Sequence, residues 1–331
     1  MIPEVSVVVP IYNVAQYIER CAHSLFAQTY KDIEYIFVDD CSPDNSIELL
    51  KKVLLFYPQR KEYVHIYAHE KNQGLVAARQ TGISHAKGKY IICFDSDDWV
   101  NTDIVQLLYD EAKRGDYDIV YCNYAEYRNG VYTEVRNKVF HSSNQYIENI
   151  LRGSLGAYLW NKLVKREVYN KVFFNKGYDM WEDLQTSIQL FYYAHNISSL
   201  DSKPLYYYNL ENIASISSCQ SKKKLSGMIH NIDFIESFLV EKNIPNSTAW
   251  VYGRKCYCKL QMISSSVDAT TWRNVFPELN NVFYGRKDVK WHSKVLICLI
   301  NKRMDYLYIF LQALRQKYFC LLYTSDAADE L

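Results

Sequence analysis

Apolar positions in the first third of the chain follow two alternating periods. Short β-branched runs ("VSVVVP", "IEYIFVD", "VHIYA", "KYIICFD" and "DIVYCNY") are separated by longer stretches ("VAQYIERCAHSLFAQ", "NSIELLKKVLLFY", "GLVAARQTGISHA" and "NTDIVQLLYDEAKRG"). In the longer stretches apolar residues recur every three or four positions, as in helices packed on a sheet; the near-continuous apolar runs suit strands. Strand, helix and strand in this order predict a doubly wound α/β unit with a mostly parallel sheet from residue 4 to about 122. Asn45 and Glu48 have the spacing of a capping box at the second helix start.

The pattern then changes. "YRNGVYTEVRNKVF" alternates polar and apolar positions around Asn129-Gly130, which predicts a tight hairpin. A mixed region runs to about residue 215, and from 222 to 319 strand signals give way to helical ones, read as a helical C-terminal appendage. Its end, "RKDVKWHSKVLICLINKRMDYLYIFLQALRQKYF", is aromatic and basic, with eight Lys or Arg against two Asp. Such a face suits either a solvated bundle or the surface of an anionic membrane. Lys294, Lys302, Arg303 and Arg315 interrupt every candidate for a membrane span. Residues 321–331 fit no helix face and read as a tail with no assigned role.

Composition narrows the class without choosing a function. With 331 residues, 49% apolar and 23% charged, the chain has room for a large core and an appendage, and disorder is a poor reading. A net charge of +1 gives no reason to expect a nucleic-acid partner. Nine cysteines without a CxxC pair suggest neither a zinc cluster nor a disulfide framework, and the opening residues lack the pattern of a secretory signal. The expected setting is therefore reducing and cytoplasmic.

Candidate chemistry lies at the carboxyl ends of the predicted strands, the usual ligand side of an open parallel sheet. The first strand ends in Pro10, Ile11, Tyr12 and Asn13, the second in Asp39 and Asp40, and the fourth in Asp95, Ser96, Asp97 and Asp98. No GxGxxG follows the first strand, which disfavours a dinucleotide-dependent dehydrogenase. Carboxylates this crowded repel one another unless a cation sits among them. Mn2+ or Mg2+ meets that need, taking one or two carboxylates together with phosphate oxygens. Helix capping accounts for one of Asp97, Asp98 and Asn101 but not for the whole cluster. His23, His65, His69 and His195 have no spacing partners for a metal and read as packing or surface residues.

The runs "VSVVVPIYNVAQYIERCAHSLFAQTY", "IEYIFVDDCSPDNS" and "NQGLVAARQTGISHAKGKYIICFDSDDW" resemble the family 2 inverting glycosyltransferases of GT-A fold. "YLWNKLVKREVY" and "MWEDLQTSIQLFYYA" resemble segments that such bacterial enzymes carry before and at their acceptor site. The resemblance covers roughly the first 125 residues and tells little beyond about 215; it implies a catalytic domain over 1–215, with a nucleotide-binding half at 1–125 and an acceptor half at 126–215, and the helical region 216–320 rests on the residue pattern alone. It implies a nucleotide-diphosphate sugar donor, commonly uridine-based, and a lipid-linked or growing glycan acceptor in surface-polysaccharide synthesis. Position by position, it puts Pro10, Tyr12 and Asp39 around a uracil-type base, with Asp40 in support. Arg79 reaches toward the donor; Asp95 and Asp97 form the DxD signature, in which one carboxylate meets the ribose or sugar (Asp95) and the other the metal (Asp97), and Asp98 is a neighbouring candidate metal ligand.

Inverting transfer needs a base that accepts the acceptor's hydroxyl proton. The resemblance assigns that role to Asp183 of "WED", with Glu182 second; read from the residues alone, the same acids suit a helix N-terminus. Lys162 of "WNKL" is either a diphosphate contact or a surface lysine. Two other functions share parts of this pattern: a sugar nucleotidyltransferase, and a nucleotide-sugar-binding protein without turnover. The first is disfavoured because "PIYNVAQYIER" contains no glycine-rich phosphate loop, the second because the metal acids and "WED" are both present.

Overall fold

The computed structural model describes residues 2–212, 222–265 and 267–314. The first half contains β1 (Val5–Ile11), α1 (Ile18–Phe26), β2 (Ile33–Asp39), α2 (Ser46–Leu54), β3 (Val64–Ala68), α3 (Leu75–His85), β4 (Tyr90–Cys93), β5 (Trp99–Val100), α4 (Ile104–Gly115), β6 (Ile119–Cys122), β7 (Tyr124–Arg128) and β8 (Val131–Val135). Next come α5 (Ser143–Arg152), β9 (Lys162–Lys165), α6 (Arg166–Tyr169), α7 (Glu182–Tyr193), β10 (Ile197–Leu200) and β11 (Tyr206–Asn209). The C-terminal part contains α8 (Lys222–Glu241), α9 (Ser247–Ser264), α10 (Ala269–Asn274) and α11 (Trp291–Asn301).

Seven strands form a sheet in the order β10-β6-β9-β4-β1-β2-β3, parallel except for β9. Both faces are covered, so successive residues of one strand enter different cores. Val5, Val7, Val9 and Ile11 of β1 pack with α1, α2 and α4, whereas Val8 packs with α3 and the helices beyond it. This is why the strand reads as an unbroken apolar run. Between β1 and β4 the chain reverses its direction of travel across the sheet, and such a reversal opens a crevice at the strand tips.

The expected fifth strand "DIVYCNY" splits at Asn123. Its first part is β6 of the large sheet, while its second, β7, joins a small sheet of order β5-β11-β7-β8. The buried Asn123 side chain fixes the break, donating to the Ser202 carbonyl (2.8 Å) and accepting from the Asn137 N–H (2.8 Å). The hairpin forms as the sequence predicts: Arg128 pairs with Val131, and Asn129 and Gly130 take φ of 50° and 77°. The expected capping box does not form. Glu48 pairs with Lys52 at 2.7 Å, and the α2 start is held by Asp44, which accepts from the Ser46 N–H at 3.1 Å.

Strand β9 was not legible as a strand because Lys162 and Lys165 bracket its four residues, all of them buried. Running antiparallel between β4 and β6, it begins at the strand tips, so the loop that leads into it lies over the crevice. The expected helical region is present and shares one continuous apolar core with the sheet: Ile232, Leu239, Val251 and Met262 belong to the cluster that holds Val8 and Ile36. No helix among the described residues is long and apolar enough to cross a membrane. Residues 321–331 lie outside the described residues, as does the end of the basic stretch beyond 314.

Candidate active site

The tips of β1, β2 and β4 open into a cavity of about 850 Å³. Its wall includes Pro10, Tyr12, Asp40, Arg79, Asp95, Asp97, Glu182 and Asp183, contributed by strand ends, α3 and the start of α7. The structure thus gathers most of the predicted site residues on one surface. Asp39, Asp98 and Lys162 do not line it.

Tyr12 stands at the end of β1 with 48% of its surface exposed, a ring available for stacking. Asp39 closes β2 opposite Ile11 and accepts from the Ser42 N–H at 2.8 Å. Asp40 is buried and already engaged, accepting from the Gln73 and Gly74 N–H groups (2.8 Å each) and contacting His69 Nδ1 (2.7 Å). It supports the site by holding the turn before α3, and His69, linked also to Thr81, is part of that brace.

Arg79 is the electrostatic centre. Buried on α3, it donates from Nη2 to Asp95 Oδ1 at 2.5 Å and from Nη1 meets the Glu182 carboxylate. A close approach one turn further along α3 makes this reach possible: a Cβ on Gly82 would lie 2.3 Å from Val8 Cγ1. Only glycine lets α3 settle this near β1.

Asp97 also faces the cavity, and Asn212 Nδ2 donates to its Oδ2 at 2.7 Å. Burial, then the adjacent Asp95 charge, pushes the Asp97 carboxyl above its ordinary value. This is the situation that an added cation relieves. Asp95 and Asp97 fit a divalent ion of the open kind, held by one or two carboxylates and completed by phosphate oxygens. Among the described residues no group of three or more His, Cys, Asp or Glu forms a closed metal cage.

Asp98 has a different place from the one expected. Its Oδ2 accepts from the Tyr206 hydroxyl at 2.5 Å and its Oδ1 from the Asn209 N–H at 2.7 Å, so both oxygens tie β11 to the acidic turn. Lys162 is likewise redirected. Its buried ammonium donates to the carbonyls of Tyr158 and Gly156 and to Asn161 Oδ1 (3.0 Å), bracing the loop over the cavity instead of entering it. Burial pulls its pKa down to about 7, against the pull of nearby Asp183.

Glu182 is consumed by Arg79, whereas Asp183 is oriented by its own helix, with Oδ1 accepting from the Leu184 N–H at 2.7 Å. Burial raises the Asp183 carboxyl above its ordinary value, opposed chiefly by Arg79. Trp181, just before the pair, is in the left-handed region at φ 65°. For a bulky residue that is a strained conformation, of the kind found where a site dictates the backbone.

Several wall residues escaped sequence reasoning. Tyr158, Trp160 and Tyr208 form an aromatic stack, with Tyr158 and Trp160 centroids 4.6 Å apart and Trp160 and Tyr208 5.7 Å. Asp179 accepts from the Val76 N–H at 3.2 Å across 103 residues, capping α3 from afar. Arg254 of α9 donates to the Leu151 and Ile150 carbonyls (2.9 and 2.7 Å) and also lines the cavity. No local spacing announces these three contributions. Tyr158 and Trp160 lie within "YLWNKLVKREVY" and Asp179 just before "MWED", but nothing nearby marks Tyr208 or Arg254.

Comparison with known proteins bears on the family and the fold. The glycosyltransferase GlyG of Streptococcus pneumoniae serotype 4 is 35% identical over 185 residues, covering 52% of this chain and 60% of that protein. EpsJ of Bacillus subtilis, also named a glycosyltransferase, is 34% identical over 217 residues, with 63% and 61% covered. The chain therefore spans about three fifths of the length of these two relatives. In structure it is similar to residues 1–349 of S. aureus TarS, solved in complex with UDP-GlcNAc, with a TM-score of 0.60 at 18% identity, covering 95% of this chain and 92% of that one. That likeness supports the GT-A fold and extends through the C-terminal helices. The family model described as Glycosyl transferase family 2 matches residues 6–178, just over half of the sequence, and the chain belongs to that family.

Proposed function

We propose that this protein transfers a sugar, with inversion, from a nucleotide-diphosphate donor, a UDP-sugar in first place, to a hydroxyl of a lipid-linked or growing glycan in polysaccharide biosynthesis. The observation that carries this reading is the shared cavity: Asp183 faces the same space as Asp95 and Asp97, with Arg79 tying the two sides together. Tyr12 offers its exposed ring to the donor base beside Pro10. Arg79 holds Asp95 in place. The aromatic wall of Tyr158 and Tyr208 suits the apolar faces of pyranose rings.

Asp95 and Asp97 are the residues that would hold Mn2+ or Mg2+, which when bound supplies positive charge to the departing diphosphate. Asp183 accepts the proton of the acceptor hydroxyl as its oxygen bonds to the anomeric carbon and the bond to the diphosphate breaks. A carboxylate whose pKa is raised by burial is a stronger base than one in water, which suits this step. A screen of UDP-sugars, with manganese or with chelator, tests the proposal through released UDP and the anomeric configuration of the product. Retained configuration, or no donor turnover with any sugar, refutes it.

A further inference from the structure

Beyond the sugar-transfer reading, and independent of it, the C-terminal helices carry an unusual surface. Residues 305–314 are helical, and their sequence DYLYIFLQAL contains only two polar side chains besides the tyrosines. Both polar groups are engaged with the body of the protein: Asp305 pairs with Arg273 (2.7 Å), and Gln312 donates to the Ile263 carbonyl (2.8 Å). Tyr308 is buried, its hydroxyl donating to the Val267 carbonyl. The inward face is thus already complete. The outward face presents Tyr306, Leu307, Ile309, Phe310 and Leu314, with Tyr306 94% exposed. A helix apolar on every side is normally enclosed, and among the described residues nothing covers the outward side of this one.

Charge indicates what the cover is. Lys302 and Arg303 lie just before the helix and are exposed. The two acids of this stretch already have arginine partners, Asp288 with Arg286 and Asp305 with Arg273, so they do little to offset those cations. Aromatic and aliphatic side chains flanked by lysine and arginine match the boundary of an anionic bilayer, where rings enter the headgroup layer and cations meet phosphate. We propose that the outer face of residues 305–314, with Lys302 and Arg303 beside it, binds anionic lipid and holds the enzyme at a membrane surface.

Co-sedimentation of the full chain with phosphatidylcholine vesicles, with and without one quarter phosphatidylglycerol and without any nucleotide sugar, tests this. Binding is expected to anionic vesicles only and to weaken with salt. Tyr306→Ser, Ile309→Ser and Phe310→Ser combined should abolish it, and Lys302→Gln and Arg303→Gln combined should weaken it about thirtyfold. The serine variant's circular dichroism and thermal midpoint must match the parent's, which separates lost docking from lost folding. Equal affinity for neutral vesicles, or no binding at all, overturns the proposal. So does a parent dimer by light scattering that the serine variant converts to monomer, since the cover is then a second copy. Because no donor is present, these outcomes are distinct from failure of the sugar-transfer reading.

Discussion

Arg79 of α3 and Glu182 of α7 form a buried ion pair across the candidate site, and the same guanidinium donates to Asp95 at 2.5 Å. One cation therefore joins the donor-side acids to the helix that carries the proposed base. The arrangement also divides the "WED" acids: Glu182 is spent on Arg79, which leaves Asp183 for chemistry.

That division predicts different outcomes for the two acids. Asp183→Asn should abolish transfer while donor binding in manganese, measured by calorimetry, stays within about threefold, since general-base loss removes roughly 100- to 10,000-fold in rate. Glu182→Gln should retain measurable turnover and lose stability. Equal loss of turnover in the two variants would reject the assignment.

The raised pKa of Asp183 carries a stability consequence. Its carboxyl titrates higher in the native state than in the unfolded chain, so between the ordinary value near 4 and the native value the folded protein binds more protons. Stability therefore falls as pH rises through that window, and at neutral pH the charged group is a net burden. Asp183→Asn should raise the thermal midpoint at pH 7, and the gain should vanish under acid conditions. Scanning calorimetry from pH 4 to 8 checks the sign.

Removing Arg79 strands two carboxylates. Arg79→Ala should cost about 3–5 kcal/mol, as breaking a buried pair does, and Arg79→Lys should recover only part of it because one ammonium cannot span both acids. Chemical denaturation with both variants measures the difference.

Asp98 and the metal can be separated. Tyr206→Phe deprives Asp98 Oδ2 of its donor and should cost about 1–3 kcal/mol, with manganese dependence of turnover unchanged. A shifted metal titration in that variant would return Asp98 to the metal site.

The close approach of α3 to β1 is testable by a double-mutant cycle. Gly82→Ala drives a methyl into Val8 and should lower both stability and turnover, since Arg79 lies one turn away. Val8→Ala in the same background should restore part of both, by at least about 0.5 kcal/mol in stability.

The parallel sheet, its crossover helices and the acidic strand tips were determined locally. Unbroken β-branched runs bury on both faces, three-to-four periodicity lays a helix on a sheet, and Asn129-Gly130 specifies its turn by backbone preference. Tertiary structure alone decided which acid does what. Asp97 and Asp98 are neighbours with the same chemistry, yet one faces the cavity and the other is held by Tyr206 and Asn209, more than a hundred residues away. Lys162 reads as a surface lysine or a phosphate contact, but the antiparallel insertion of β9 buries it against its own loop. Arg254 enters the site from a helix whose local pattern carries no sign of it. Such roles depend on long-range contacts, and a side chain's partner across a folded core leaves no periodicity in the sequence beside it.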